Sequence, residues 1–236
     1  MSVLRSVIFY IGYVLLILFV AVALMPIASV LPYQKRFPVL NLYNVLMMRW
    51  FSWVCGVKVT VSGREHLPNQ QCVIMANHQS EWETLFLQIL HPPVCTVLKK
   101  ELLNIPLFGW GLRLIRPISL DRSKPARAIK QVLVQGKQRL EEGLSILIFP
   151  EGSRMPPGKT KPFAKSGFHI ACRSGVPIVP VAHNAGHCWQ GDSLLKRTGH
   201  IQVVIGEPVL TQGREVQEVL EEVENWINTE RQRIGG

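Results

Sequence analysis

The sequence lacks the motifs of several large enzyme classes. It has no Walker phosphate-binding loop and no G-x-G-x-x-G after a strand-like run, which argues against nucleotide and dinucleotide binding. Ser153 does not lie in a G-x-S-x-G turn, which argues against an α/β-hydrolase. The five cysteines form no C-x-x-C pair, and their odd number predicts reduced thiols facing the cytosol and no disulfide framework.

Charged residues are also scarce, and acidic residues are fewer than basic ones. Only 18% of the residues are charged while 47% are hydrophobic, and 26 basic residues against 16 acidic ones give a net charge of +10. A basic, apolar chain predicts an anionic membrane surface or phosphorylated substrates as partners. Nucleic acid is the rival partner for such a charge, but the basic residues are spread out and no nucleic-acid motif accompanies them.

The longest apolar run stands near the N-terminus. Residues 7–24 carry no charge, and a run of this length can span a bilayer. A signal peptide is the alternative, but the run is too long for one and no cleavage site follows. Lys35 and Arg36 outweigh Arg5, which predicts an inner or cytoplasmic membrane with the rest of the chain facing the cytoplasm. Two later prolines leave a dipping, monotopic helix open.

A second apolar segment, residues 37–55, has a mixed pattern. Its polar residues fall roughly on one helical face, which predicts an amphipathic helix in the membrane interface with Trp50 and Trp53 as anchors. The alternative is a core helix packed on the following domain. We therefore expect membrane-anchoring helices over residues 1–55 and a separate domain over residues 56–236.

Residues 56–236 alternate between strand-like and helix-like runs. The strand-like runs are 58–62, 72–76, 94–98, 115–120, 145–149, 176–181 and 201–205, and the helix-like runs are 84–90, 108–114, 124–142, 163–174 and 214–233. Such alternation predicts an α/β domain with a largely buried sheet. The two prolines in 176–181 predict an edge or irregular strand there.

One polar stretch, Asn77 to Glu83, follows the strand-like run 72–76 and precedes a helix-like run. Catalytic groups of α/β proteins lie at the carboxyl ends of strands in this way. His78 is a candidate general base, and Glu83 a candidate orienter of its imidazole. Ser80 and Glu83 also match a capping box, so Glu83 could satisfy backbone amides at the helix start, and both roles could coexist.

Basic residues follow two further strand-like runs. Lys100 could bind phosphate as a point charge, although a solvated strand end explains it equally well. After residues 145–149, Gly152 allows close backbone approach and Arg154 offers a fork suited to phosphate, against the alternative of an ordinary turn with a basic rim. An Asp121–Arg122 pair predicts a local salt bridge. His183, His187 and Cys188 look like metal ligands, but no second cluster accompanies them, so no metal is predicted.

Four of these stretches together resemble the glycerophospholipid acyltransferase family, in particular the 1-acyl-sn-glycerol-3-phosphate acyltransferases. The family motif NH-x4-D resembles residues 77–83, its second motif residues 100–122, its FPEG[ST]R motif residues 149–154, and its V-P-[IV]-[VI]-P-V motif residues 176–181. The motifs occur in the family's order and cover most of residues 56–210. One departure is Glu83, where the family usually has Asp.

The resemblance implies a mixed, largely parallel sheet flanked by helices and an acyl transfer to a lysophospholipid, with lysophosphatidic acid as the expected acceptor. His78 would deprotonate the acceptor hydroxyl, which attacks acyl-CoA or acyl carrier protein without an acyl-enzyme, and Glu83 would hold the imidazole. By analogy Arg154 and Lys100 would hold the phosphate, while Glu151, Gly152 and Ser153 would belong to the acceptor site. Neither a metal nor a tightly bound cofactor is implied.

Two rival functions stay open at this point. The first is acylation of another acceptor, such as a lyso-ornithine lipid or glycerol 3-phosphate. The second is a catalytically idle membrane adaptor that binds lipid. The intact general base argues against the adaptor, because a binding protein needs no base.

Overall fold

The computed structural model describes residues 2–121 and 125–236, without the side chains of residues 125–129. The predicted helix over 124–142 and the Asp121–Arg122 pair therefore fall partly outside the described residues.

The chain opens with one long apolar helix. It comprises α1 (Ser2–Phe19), a π-helical segment (Val20–Leu24) and α2 (Met25–Val30), 29 residues that are long and apolar enough to cross a membrane. Only a small part of this helix is buried, and the apolar side chains of one face of α1, among them Val7, Ile11 and Val14, are exposed. The chain turns at Leu31 and Pro32, and α3 (Tyr33–Cys55) packs back along the first helix.

Both ends of this helical hairpin contact the domain that follows it. Near the start, Arg5 donates a hydrogen bond to the Thr198 hydroxyl (2.6 Å). Near the tip, the Tyr33 hydroxyl donates to the carbonyl oxygen of Ile115 (3.0 Å). Since a helix that crossed a bilayer would carry one end away from the domain, these contacts favour the dipping arrangement.

Most of α3 packs as a core helix. Met47 and Phe51 are fully buried among sheet residues, and Asn44, which the sequence placed on the polar face, is buried too and donates to the Asn41 side chain (3.0 Å). The Trp50 indole donates to the carbonyl oxygen of Phe9 (3.1 Å), while Trp53 is 77% exposed. The structure thus supports the core-helix alternative for α3 and leaves Trp53 as its one outward-facing tryptophan.

The sheet has seven strands in the order β1-β7-β6-β2-β5-β3-β4. All neighbours are parallel except β6 and β7. The strands are β1 (Val57–Ser62), β2 (Val73–Ala76), β3 (Val94–Lys99), β4 (Ile118–Leu120), β5 (Ser145–Ile148), β6 (Ile178–His183) and β7 (Gly199–Ile205). The predicted mixed, largely parallel sheet flanked by helices is confirmed.

Helices cover both faces of the sheet. They are α4 (Trp82–Leu90), α5 (Phe108–Leu114), α6 (Pro125–Glu141), α7 (Ser166–Ser174) and α8 (Val216–Arg233). Alternate residues of a strand point to opposite faces, so Ile74 and Ala76 of β2 pack with α1, α3 and α4, while Val73 and Met75 pack with α6, α7 and α8. The N-terminal helices therefore share a hydrophobic core with the sheet, although the first strand begins only at Val57.

Of the two alternatives predicted for residues 176–181, the edge strand is wrong and the irregular strand is confirmed. Strand β6 is fully buried between β7 and β2. Pro180 is tolerated there because the antiparallel pairing with β7 begins only at Val181, and the next pair toward the amino end is Ile178 with Val209. The ladder of hydrogen bonds on this side of β6 is interrupted between these two pairs. Pro180 lies in the interruption, where its missing amide hydrogen costs least.

The turn at residues 100–104, which carries Lys100, packs tightly on α5, and this generates a prediction about two glycines of that helix. A Cβ at Gly109 would lie 2.3 Å from the carbonyl oxygen of Leu103, whereas one at Gly111 would meet only the sulfur of Met25 at 3.8 Å. We expect Gly109→Ala to lower the melting temperature, because the backbone must move, and Gly111→Ala to leave it unchanged or raise it, since alanine favours a helix by about 1 kcal/mol. Thermal unfolding in detergent measures both, and equal effects of the two would contradict this packing.

Candidate active site

The carboxyl ends of five parallel strands meet at one edge of the sheet, and the predicted site residues follow these ends. His78 comes after β2, Glu151 after β5 and Lys100 after β3. Since β2 and β5 are neighbours, the loops that carry His78 and Glu151 lie side by side. The sheet thus brings together the first and third sequence motifs, as expected for an α/β site.

The imidazole of His78 is held by Glu83. The His78 Nδ1 and Glu83 Oε1 atoms are 2.8 Å apart, with Glu83 in the first turn of α4. Glu83 is fully buried, whereas the side chain of His78 is 16% exposed and stacks on the ring of Phe149 with a centroid distance of 4.3 Å. Within residues 2–121 and 125–236, no protein group hydrogen-bonds to Nε2 of His78, so this nitrogen is open to a substrate.

The Glu83 carboxylate accepts four hydrogen bonds. Besides His78, the donors are the backbone amides of Gln79 and Ser80 (2.7 Å each) and the Ser80 hydroxyl (2.6 Å). Burial by itself raises the pKa of Glu83, but His183, His78 and Ser80 lower it to about 2. Because burial lowers the pKa of His183 and keeps it neutral, we attribute the charged carboxylate mainly to these hydrogen bonds. Glu83 therefore makes both of the contacts that the sequence suggested: it accepts hydrogen bonds from backbone amides at the start of α4, and it contacts the imidazole of His78.

The backbone of His78 is fixed by a second buried acid. Its amide donates to Oε2 of Glu151 (2.7 Å), and its carbonyl oxygen accepts from the amide of Met155 (2.7 Å). Oε1 of Glu151 accepts from Arg231 of α8 (3.2 Å), and both of these side chains are almost fully buried. Burial raises the pKa of Glu151, opposed by the His78 amide and Arg231. Glu151 therefore lies behind His78 and shapes the site from inside.

Asn77 clamps the end of β2 to β6. Its side-chain amide donates to the carbonyl oxygen of His183 and accepts from the His183 amide (3.0 Å each). Nε2 of His183 donates to the carbonyl oxygen of Asn77 (2.7 Å), and Nδ1 accepts from the amide of Ala185 (3.3 Å). Both imidazole nitrogens of His183 are thus engaged by the backbone, and in the described part of the chain no three metal-binding side chains cluster.

Arg154 reaches across to the loop of His78. Its guanidinium lies 2.6 Å from Oε1 of Glu81. Gly152, with φ +67°, forms the preceding turn, and Ser153 beside it is partly exposed. A Cβ at Gly191 would lie 2.7 Å from Cδ of Arg154, so the loop after β6 also packs against this arginine.

Lys100 lies farther along the same edge. It follows β3, two strand positions from β2, which is about 10 Å at the usual spacing. The Lys100 side chain is 62% exposed, and its ammonium nitrogen lies 3.7 Å from the Asp121 carboxylate. The downstream lysines Lys159, Lys161 and Lys165 are all exposed.

Sequence reasoning missed Arg231. A buried arginine on a helix that is otherwise polar and amphipathic has no local signal, because its partner is 80 residues away. The only usable hint was Glu151 itself, an acid that follows a buried strand and therefore needs a donor or a cation.

Comparisons with known proteins identify the family of this chain. The acyltransferase family model matches residues 58–184. The chain is 40% identical over 212 residues to the 1-acyl-sn-glycerol-3-phosphate acyltransferase of Pseudomonas aeruginosa, covering 86% of this chain and 80% of the relative. It is 33% identical over 186 residues to the enzyme of the same name from Cocos nucifera, covering 78% of this chain and 60% of the relative.

A solved structure is similar over nearly the whole chain. The crystal structure of the 1-acyl-sn-glycerophosphate (LPA) acyltransferase PlsC from Thermotoga maritima superimposes with a TM-score of 0.84 at 26% identity. The match covers 99% of this chain and 95% of that one, and so includes the N-terminal helices.

The buried pair of Glu151 and Arg231 generates a prediction with a definite pH dependence. A carboxyl whose pKa is raised on folding opposes folding once it is ionised, so the penalty grows as the pH rises through the folded pKa. Arg231→Met removes the cation that opposes this shift. We expect its melting temperature to fall by at least roughly 5 °C at pH 8, and by clearly less at pH 5.

Arg233→Met is the matched control, because Arg233 lies two residues further on the same helix, is 60% exposed and pairs only with Glu230 among the described residues. A deficit of Arg231→Met that is equal at pH 5 and pH 8 would show that Glu151 is not the group affected.

Proposed function

Because the chain belongs to the acyltransferase family that includes the 1-acyl-sn-glycerol-3-phosphate acyltransferases, we propose that it acylates the free sn-2 hydroxyl of lysophosphatidic acid. The acyl donor is a thioester of coenzyme A or of acyl carrier protein, and the product is phosphatidic acid. The single observation that carries the chemistry is the 2.8 Å contact between His78 and a fully buried Glu83.

In this mechanism His78 is the general base. The Glu83 carboxylate accepts a hydrogen bond from Nδ1–H of His78, which leaves Nε2 as the unprotonated nitrogen that removes the proton from the acceptor hydroxyl. The oxygen attacks the thioester carbonyl carbon, the carbon–sulfur bond breaks, and the proton on Nε2 passes to the departing thiolate. Glu83 stays ionised throughout, since its pKa of about 2 lies far below neutral pH.

No acyl-enzyme is part of this proposal. All five cysteines are free, and four of them are buried. Burial raises the pKa of Cys72 and of Cys95 to about 11, so these thiols are poor nucleophiles at neutral pH. The acceptor hydroxyl takes the place that a serine or cysteine holds in a hydrolase triad.

The acceptor phosphate is assigned to Arg154 and Lys100. Arg154 supplies a planar fork for two phosphate oxygens, and Lys100 supplies a point charge about 10 Å from the β2 end. Gly152 and Ser153 form the turn that presents Arg154, and Glu151 holds that turn against His78. The surplus of basic residues attracts the anionic lipid to the site.

Membrane association is proposed as a monotopic arrangement. The hairpin of α1, α2 and α3 contacts the catalytic domain at both ends, which supports a helix pair lying in the cytoplasmic leaflet of the inner membrane. The catalytic domain then faces the cytoplasm, where acyl-CoA and acyl carrier protein are found. In this arrangement residues 2–55 anchor the domain formed by residues 56–236 and share its core.

The apolar surface continues onto the catalytic domain. An apolar groove lies between one face of α1 and the exposed side chains of Leu194 and Leu195, in the loop that connects β6 to β7. The same loop contacts Arg154 through Gly191. It therefore links the membrane-facing helix to the phosphate-binding arginine, so that a lysolipid reaches the site without leaving the lipid surface.

The first prediction of this proposal concerns the base and its partner. We expect His78→Ala to lower kcat for acylation of lysophosphatidic acid by about 10²–10⁴-fold or more. Glu83→Gln should lower kcat by a factor in the same range, because an amide cannot accept all four hydrogen bonds. Glu83→Asp should retain more activity, because it keeps a carboxylate. The assay uses detergent-solubilised protein with a panel of acyl-CoA and acyl carrier protein donors, which also identifies the donor.

The controls are circular dichroism and thermal unfolding of each variant. If folded wild type gives no phosphatidic acid, lysophosphatidic acid is not the acceptor, and lyso-ornithine lipid and glycerol 3-phosphate are assayed next. Failure with every acceptor would support the idle-adaptor alternative.

The second prediction concerns the leucine pair. Replacing Leu194 and Leu195 by asparagine should weaken binding to vesicles that contain anionic phospholipid by at least about tenfold, because each leucine contributes roughly 1.5–3 kcal/mol when buried in lipid. Leu210→Asn is the control, since Leu210 is 68% exposed but follows Val209, which pairs with the amino end of β6, whereas the predicted site residues follow the carboxyl ends of the strands. Vesicle flotation measures the binding, and an equal loss in the control would refute a specific lipid contact of the pair.

A further inference from the structure

Arg154 does not stand alone in the site. Its guanidinium is 2.6 Å from the carboxylate of Glu81, and the two side chains are 42% and 35% exposed. Arg154 belongs to the loop after β5, whereas Glu81 belongs to the loop between β2 and α4. The ion pair therefore joins the two loops that carry the proposed catalytic and phosphate-binding groups.

The Glu81 side chain is not needed for the local fold. The start of α4 is held by its backbone, since the Glu81 carbonyl oxygen accepts from the amide (3.1 Å) and hydroxyl (2.6 Å) of Thr84. The acid that satisfies the backbone amides and the imidazole is Glu83. The Glu81 carboxylate takes part in neither set of hydrogen bonds, and its one close ionic contact in the described chain is with Arg154.

The pair lies on the side of the site that faces α1. Lys196 is buried with its ammonium nitrogen 5.2 Å from the ring centroid of Tyr10 on α1. Burial lowers the pKa of Lys196 and the Glu81 carboxylate opposes that shift, so Glu81 is within electrostatic reach of this lysine. Gly191, in the same loop as Lys196, packs on Arg154. These contacts place the ion pair close to the residues that line α1.

We propose that Glu81 is a built-in counter-ion that occupies Arg154 until the phosphate of the lysolipid displaces it, and that it thereby sets the selectivity of the site for phosphomonoester lipids. The inference rests on the proposed phosphate-binding role of Arg154. A phosphomonoester carries nearly two negative charges and three acceptor oxygens, and it displaces a single carboxylate that a weaker or more diffuse anion does not. Glu81 acts through Arg154 and is a positioning residue.

The competition predicts a change in KM with a defined sign. Glu81→Gln removes the competing charge and keeps the size of the side chain. We expect KM for lysophosphatidic acid to fall about two- to fivefold, the range that corresponds to a partly exposed ion pair. KM for the acyl donor should not change. A purely structural role of Glu81 would instead lower kcat, because the same loop holds His78.

Glu141→Gln is the matched control. It removes the same charge from the exposed end of α6, where Glu141 pairs with Lys137 (3.7 Å). It changes the net charge, and hence the general attraction to anionic lipid, by the same amount. An equal fall of KM in this control would overturn the assignment to Glu81.

A double-mutant cycle separates the inference from the proposed function. Arg154→Ala should raise KM for lysophosphatidic acid, and Glu81→Gln should have no further effect on KM in that background. If Arg154→Ala raises KM but Glu81→Gln does not lower it, the counter-ion role fails and the phosphate role of Arg154 stands. If Arg154→Ala leaves KM unchanged, the phosphate role itself fails and the counter-ion role fails with it.

Inorganic phosphate serves as an independent probe of the same competition. It has the headgroup's charge but no acyl chain, so lipid partitioning does not enter. We expect phosphate to inhibit Glu81→Gln at a two- to fivefold lower concentration than wild type and Glu141→Gln. Equal inhibition of all three proteins would overturn the proposed selectivity.

Discussion

The buried carboxylate of Glu83 is the group on which the arrangement of the site depends. It accepts hydrogen bonds from two backbone amides, from one hydroxyl and from the imidazole of His78. It therefore fixes the loop of residues 77–81, the start of α4 and the tautomer of the histidine. A buried charge is tolerated only when its oxygens are fully hydrogen-bonded. The hydrogen bonds that this buried charge requires therefore also orient the imidazole of His78, the proposed base. The longer side chain of glutamate fits because α4 begins just before it, so its carboxylate reaches back to residues 78–80.

A second buried acid, Glu151, follows the neighbouring strand β5 and is also fully hydrogen-bonded. Glu151 fixes the backbone of His78 and is itself balanced by Arg231 from the far end of the chain. Asn77 adds a clamp from β2 to β6 through His183. The side chain and the backbone of His78 are thus held from three directions, which limits the motion of Nε2, the atom proposed to remove the acceptor's proton. Precise placement of this kind supplies much of the rate of a group transfer between two bound substrates.

The sequence predicts those parts of this structure that depend on residues close to one another in the chain. The strands after residue 56 could be predicted from apolar runs, and the pairing of His78 with Glu83 from their spacing and the helix start between them. Arg231 could not be predicted, since its partner is distant in sequence and the pattern of α8 is simply amphipathic. The two prolines of residues 176–181 correctly indicated an irregular strand, but they could not show that it lies inside the sheet, because a break in the β6–β7 ladder at Pro180 removes the need for an edge position.

The N-terminal helices show the same limit at a larger scale. Composition identifies an apolar helix of spanning length, but it cannot report what each end of the helix touches. Arg5 and Tyr33 both bind the catalytic domain, so the helix lies along the domain. In the proposed monotopic arrangement, the exposed apolar face of α1 would place the bilayer beside the loops of the proposed site, next to Lys196 and the Arg154 loop. Under the proposed function, the orientation of the helix and the charge near Arg154 would act together, because a lysolipid held by its acyl chain in the leaflet would present only its headgroup to Arg154.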